Sequence, residues 1–293
     1  MTGTRFELVW DAKCVVGESP VWDAANRRLL FVDVHRGLIM AYGVDDGRRQ
    51  SWEIGKTVGS FGLCRSGRLI VALQDSIAFF DPSRGVLETL VENVGEPPPS
   101  RLNDGKVGPD GCFWVGGLDT RPIPEKELIC GLYRITPDGK VERKADGYMT
   151  SNGLAWTPDG GTMFHSDTTP GIINAWDFDK ATGSISRRRR IASLTFEDGR
   201  PDGGACDAEG CYWSAGYTSG RLNRFSATGM LLDVVVTPTP APTMPCFVEQ
   251  WLYVTSLRRR LTDDVLAQFP DAGGLFRTLA PIRGAAVTLF ADA

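Results

Sequence analysis

Six short runs recur along the chain at nearly even spacing, and this period limits the possible folds more than any other feature. They read "LLFVDV" from Leu29, "LIVALQ" from Leu69, "CFWVGG" from Cys112, "TMFHSD" from Thr162, "CYWSAG" from Cys211 and "WLYVTS" from Trp251. Successive starts are 40, 43, 50, 49 and 40 residues apart. Each run is rich in the aromatic and aliphatic residues that suit a buried strand. Most follow a turn such as "GPDG", "TPDGG" or "DAEG", and a second strand-like run comes after each one, as in "IMAYGV" or "GLYRIT". Repeats of this length, each supplying about four short strands, are the pattern of a β-propeller. A pair of β-sandwiches would not explain a period that runs through the whole chain. The expectation is an all-β, six-bladed propeller forming one domain over residues 1–293, with a metal site in its central channel. Closing the ring requires the two ends of the chain to meet. The strand-like "FELVW" near the N-terminus and "AAVTLF" near the C-terminus are expected to share a blade.

The metal expectation comes from polar residues at one phase of the repeat. Glu18 lies 11 residues before its run, Asn103 lies 9, Asn152 lies 10 and Asp202 lies 9. These positions fall on the strand that would line the channel, in "GESP", "RLND", "TSNG" and "RPDG". Taken singly, Asn152 in "SNG" reads as a turn residue and Glu18 as a surface carboxylate. Equal phase in different blades instead makes a ring at one depth. Two carboxylates and two amide oxygens aimed at one point repel each other unless a cation neutralises them. An oxygen-only set suits a hard divalent ion, Ca²⁺, Mg²⁺ or Mn²⁺, with Zn²⁺ or Fe²⁺ as alternatives. Four protein ligands or fewer leave positions for water and substrate, the arrangement of a catalytic centre.

Composition narrows the function classes. The formal net charge of −4 argues against nucleic acid or an anionic membrane as partner. The basic runs Arg187–Arg190 and Arg258–Arg260 read as solvated surface. No stretch approaches the ~18 apolar residues of a membrane span, and the first residues lack the pattern of a secretory signal. Seven scattered cysteines without a C-x-x-C pair read as reduced thiols, so a cytoplasmic location is expected, as a monomer or weak dimer. With only His35 and His165 in the chain, a zinc site built on histidine spacing is not expected. A Ser–His–Asp set is not evident either, which disfavours a covalent acyl-enzyme.

Five motifs in order, "GESPVWD", "RLNDGKVGPDGCFWVGGLD", "SNGLAWTPDG", "PDGGACDAEGCYW" and "LTDDVLAQFPDAGGLF", resemble the senescence-marker-protein/gluconolactonase/regucalcin-like family, in its bacterial sugar-lactonase branch. The likeness runs from about residue 8 to the C-terminus. It implies a six-bladed propeller with one divalent metal that hydrolyses the lactones of aldonic acids. Glu18, Asn152 and Asp202 match the family's metal ligands, and Asp202 matches its general base. Asn103 would contact substrate or a metal-bound water, and Arg101 would hold the sugar hydroxyls. A substrate-binding acid is usual after the third blade's Gly-rich strand. Here "GGLDTRP" offers Asp119, while Arg121 and Pro122 stand where acids are common. His165 is a candidate for the channel mouth that is also explained by packing, and Cys206 and Cys211 read as core thiols.

The reaction this implies is opening of a cyclic ester by water, with pentonolactones slightly ahead of gluconolactone. Two other classes stay open: metal-dependent hydrolysis of aryl or phosphate esters, and a non-enzymatic calcium-binding propeller.

Overall fold

The structure is a computed structural model that describes residues 5–292. Among the described residues, strands form six antiparallel four-stranded sheets. The innermost strands are Gly17–Asp23, Ser60–Leu63, Ser100–Val107, Ser151–Trp156, Pro201–Cys206 and Pro242–Val248, which we number as blades 1 to 6. Each touches the next and the sixth touches the first, so the ring closes about a central channel. The six recurrent runs all become the second strand of a sheet.

Blades adhere through apolar faces. Val32, Phe61, Val71 and Phe80 pack between blades 1 and 2, and Trp114 meets Trp156 edge-on between blades 3 and 4. Burying one such side chain contributes roughly 1.5–3 kcal/mol, and twelve large ones are almost wholly enclosed. The turns after the inner strands are part of this packing. In "GPDG" the Asp110 carboxylate accepts from Trp114 Nε1 and Arg134 Nε; in "DAEG" Asp207 accepts from Trp213 Nε1 and Arg224 Nε. The same aspartate–tryptophan–arginine set recurs because the repeat does.

Closure differs from the sequence expectation in one partner. "FELVW" supplies Glu7–Trp10, the outermost strand of blade 6, as expected. Its neighbour is Leu275–Leu279, with Glu7 opposite Arg277, and not "AAVTLF". Residues 285–292 instead run across the far end of the channel. Ala285 N donates to Cys206 O, Phe290 N to Leu63 O and Ala291 N to Gly111 O. Phe290 is buried against Phe79. The outer strand of blade 6 was already filled, so the last apolar residues cover the channel floor. A cavity of about 200 Å³ lies above them, lined in part by Lys106, Cys206 and Cys246.

Among the described residues, no helix is long and apolar enough to cross a membrane. All seven cysteines are free thiols, six of them buried.

Candidate functional site

The order of strands decides which residues can meet. Inner strands all begin at the same end of the channel, and the loops joining second to third strands emerge there too. Glu18, Arg101, Asn152 and Asp202 are each the second residue of an inner strand, in blades 1, 3, 4 and 5. Asn103 sits two residues further along blade 3.

Regular pleating is broken at this depth. Pairing with the second strand shifts between Glu18 and Val21, Leu102 and Gly105, Asn152 and Ala155, and Pro201 and Gly204. Blade 2, whose inner strand carries none of these residues, pairs without a shift. Such bulges re-aim side chains and sharpen the local twist. The backbone after two of the residues is left-handed, with φ of +49° at Ser19 and +64° at Gly153. A β-carbon at Gly153 would collide with the Tyr212 and Ser166 hydroxyls, so "SNG" needs its glycine.

Three blades are joined by a chain of amides and carboxylates. Asn103 Nδ2 donates to Ser151 O and Asn152 Oδ1, each at 3.0 Å. Asn152 Nδ2 donates to Asp202 Oδ1 and to Thr168 Oγ1, each at 2.7 Å. Glu18 is buried, and its Oε2 accepts from the neighbouring Ser19 N. Burial first, then the charges of Asp202 and Asp104, push the Glu18 carboxyl well above its ordinary range. Burial and Asp104 do the same to Asp202. Neither makes an ion pair among the described residues. Lys106, whose charge acts on Glu18, donates its hydrogen bond to Gly204 O at 2.7 Å. Arg101 Nη1 donates to Leu102 O, and burial followed by the charge of Arg259 pushes its guanidinium down to about 10.

Asp104 escapes a sequence reading. Strict alternation would send it to the face opposite Asn103, but the bulge between Leu102 and Gly105 removes that rule. It is buried, one carboxylate oxygen accepts from Leu154 N, and the other has no partner. Lys106, two residues on, was hidden in a stretch that reads as a turn. The only available signal was the density of charged residues in "RLNDGK".

Two further candidates, Asp119 and His165, are engaged by their own surroundings, and for His165 this is the packing that the sequence also allowed. Asp119 is wholly buried, and its carboxylate accepts from Arg121 N, Arg121 Nε and Glu127 N while pairing with Arg121 Nη2. Its counterparts at the ends of second strands, Asp33 and Asp167, likewise accept backbone N–H groups of loops, from Val15 and Val16 and from Met149 and Thr150. Asp119 therefore holds the loop of residues 120–127 and has no oxygen free of it. His165 is enclosed, bonded to Ser151 Oγ at 2.7 Å and edge-on to Tyr148. It belongs to the packing between blades 3 and 4.

The two basic runs also part company. Arg187–Arg190 lie exposed on an outer strand, as expected. Arg259 and Arg260 are exposed too, but they lie at the channel end just described, while Arg258 donates to Pro270 O and Ala272 O.

Among the described residues, no three His, Cys, Asp or Glu side chains are grouped to hold a metal ion. The candidate set is of another kind, two carboxylates and one amide. Its chemistry fits a hard cation, since burial and neighbouring carboxylates raise the pKa of both acids and neither has an ion-pair partner among the described residues.

Comparison with known proteins follows this geometry. The model of the family described as "SMP-30/Gluconolactonase/LRE-like region" matches residues 16–258. A 6-deoxy-6-sulfogluconolactonase of Pseudomonas putida is 35% identical over 288 residues, covering 95% of this chain and 98% of that protein. Regucalcin of Xenopus laevis is 32% identical over 298 residues, covering 99% and 100%. Among solved structures, a calcium-binding protein, regucalcin, from Agrobacterium tumefaciens superposes with a TM-score of 0.90 at 23% identity, covering 98% of both chains. That last likeness concerns the fold.

Proposed function

The chain belongs to the SMP-30/gluconolactonase/LRE-like family, and on that premise we propose that it hydrolyses aldonolactones, of pentono- or gluconolactone type, to aldonic acids with the help of one divalent ion. The observation that carries this reading is the meeting of Asn152 with Asp202 at 2.7 Å, beside a second buried carboxylate, Glu18, from a third blade. Glu18, Asn152 and Asp202 would hold the ion. In the present arrangement the Asn152 amide nitrogen faces Asp202; holding a cation calls for the amide to turn its oxygen that way. A bound ion supplies Lewis-acid polarisation of the lactone carbonyl and opposes the raised pKa of both acids.

The protein's own residues do the rest. Asp202 takes the proton of a water whose oxygen adds to the carbonyl carbon. The ring C–O bond then breaks, and the proton passes from Asp202 to the departing ring oxygen. The product is an open hydroxy acid. Arg101, with no carboxylate partner, offers its remaining N–H groups to the sugar hydroxyls, and the amide oxygen of Asn103 is free to accept from one. Their contribution is orientation of the ester. Asp119 acts at one remove, by fixing the loop that borders the site.

A metal-replete assay over a panel of aldonolactones tests this. Ring opening yields a carboxylic acid of pKa about 3.5 and releases a proton at neutral pH, which an indicator reads after subtraction of spontaneous opening. Turnover of an aryl or phosphate ester alone would move the activity to another hydrolase class. Metal binding without turnover of any ester would make it a binding propeller.

A further inference from the structure

The channel end that carries Glu18, Asn152 and Asp202 also carries positive charges that the proposed reaction does not use. Arg259 and Arg260 lie between the second and third strands of blade 6, and His35 lies in the equivalent loop of blade 1. Arg200 immediately precedes the inner strand of blade 5, where Asp202 stands. Arg259 Nη1 is 2.6 Å from His35 Nε2. Burial first, and then the charges of Arg259, Arg101 and Arg260, hold the His35 imidazole down at about 4. The ring is thus neutral at pH 7, and Nε2 accepts from Arg259. Arg260 also bears on Lys126 of blade 3 and on Tyr217 of blade 5, where Arg200 and Asp202 act as well. Charges from three blades, 3, 5 and 6, therefore converge above the carboxylates, with the neutral His35 of blade 1 beside them.

These cations lack counter-charges. Among the described residues, Arg101, Arg200, Arg259 and Arg260 make no ion pair. Arg36 and Arg121, at the same end, are tied to Asp33 and Asp119. The deficit is local, because the chain as a whole has 36 acidic residues against 32 basic ones. Arg260 is moreover held at φ +67°, a left-handed conformation that costs energy for a residue with a β-carbon. Like charges gathered without partners raise the energy of the free protein, and a bound oxyanion removes that repulsion. Guanidinium groups pair with oxyanions through two parallel N–H bonds, and the His35 contact fixes one edge of Arg259 while leaving its other donors unused.

We propose that this rim binds an anionic group, a sulfonate, phosphate or carboxylate, carried by the sugar lactone at the end remote from its carbonyl. The proposal rests on the reading that the lactone carbonyl faces Glu18, Asn152 and Asp202. It adds a specificity site in which Arg259 and Arg260 select charge, with Arg101 between them and the ester.

Two measurements test it, one free of catalysis. Calorimetric titration compares 6-phosphogluconate with gluconate on the metal-loaded protein. The phosphorylated acid should bind about tenfold more tightly or better, as expected for one partly shielded charge contact. That preference should vanish in the double variant Arg259→Ala/Arg260→Ala and shrink when salt is raised to about 0.5 M. Arg259→Lys, which keeps the charge and loses the planar fork, should retain part of it. The second measurement compares kcat/KM for glucono-1,5-lactone with that for 6-phospho-, 6-deoxy-6-sulfo- and 6-carboxyl lactones. The anionic lactones should lead through lower KM, and the lead should fall in the double variant. The arm with the largest lead identifies the anion. Equal binding of 6-phosphogluconate and gluconate, or a preference that survives the double variant with its fold intact by circular dichroism, overturns the proposal. If binding is selective but no lactone is opened, the proposed reaction fails and the anion site stands.

Discussion

Asn152 Nδ2 and Asp202 Oδ1 lie 2.7 Å apart, so that a hydrogen bond between blades 4 and 5 is made by two of the three residues proposed to hold the metal. The proposed base and a proposed ligand therefore touch directly. Asp202→Asn removes a charge from the ion and the proton acceptor together. It should lower kcat by roughly 10²–10⁴, the range for loss of a positioned general base. Metal content measured alongside kcat separates the two effects. Near-normal kcat in a variant that keeps its ion would assign the base to another residue.

Arg101 is a positioning group in this scheme. At about 10 its guanidinium is still protonated at neutral pH despite burial. Arg101→Ala should raise KM by about tenfold and lower kcat less, since remote binding also orients the ester. A pure loss of kcat at unchanged KM would place Arg101 at the reacting atoms.

Asp119 offers the opposite pattern. Its carboxylate holds the loop of residues 120–127 through bonds to Arg121 and Glu127. Asp119→Ala should reduce stability by about 1–3 kcal/mol, the cost of leaving such donors unsatisfied. Denaturant unfolding reads the loss. Unchanged stability with a large rise in KM would return Asp119 to direct contact with the sugar.

His165 gives a pH dependence whose sign follows from its burial. Burial, with a smaller effect of Arg188, lowers its pKa to about 3 from the ordinary imidazole range near 6.5. The folded protein thus binds a proton on this ring less readily than the unfolded chain. The stability this contributes is full above pH ~6.5 and is lost as pH falls toward 3. Between pH 7 and pH 5 the loss amounts to about 2 kcal/mol. His165→Gln should flatten that part of the unfolding profile. An identical acid slope in the variant would show that the ring takes up its proton in the folded state.

Much of the fold was legible because a propeller repeats its chemistry with its geometry. "CFWVGG" and "CYWSAG" mark equivalent second strands, each preceded by an aspartate that serves the tryptophan inside the run. The candidate site was legible through phase, since Glu18, Asn152 and Asp202 occupy one position in three blades. What remained hidden depends on contacts that spacing does not encode. Asp104 joins the site through a bulge, His35 and Arg259 meet across 224 residues of chain, and "AAVTLF" covers the channel floor because another strand already fills blade 6. Asp119 has the residue type expected of a sugar contact, but its loop takes up both oxygens.

The central claim is that Glu18, Asn152 and Asp202 hold a divalent ion on which lactone hydrolysis depends. Its most direct test is to strip the protein by prolonged chelation, confirm the absence of metal by elemental analysis, and titrate single divalent ions back while following aldonolactone opening. The account predicts no turnover above spontaneous opening in the stripped protein, and recovery that saturates at one ion per chain. Full activity in the metal-free protein would contradict it.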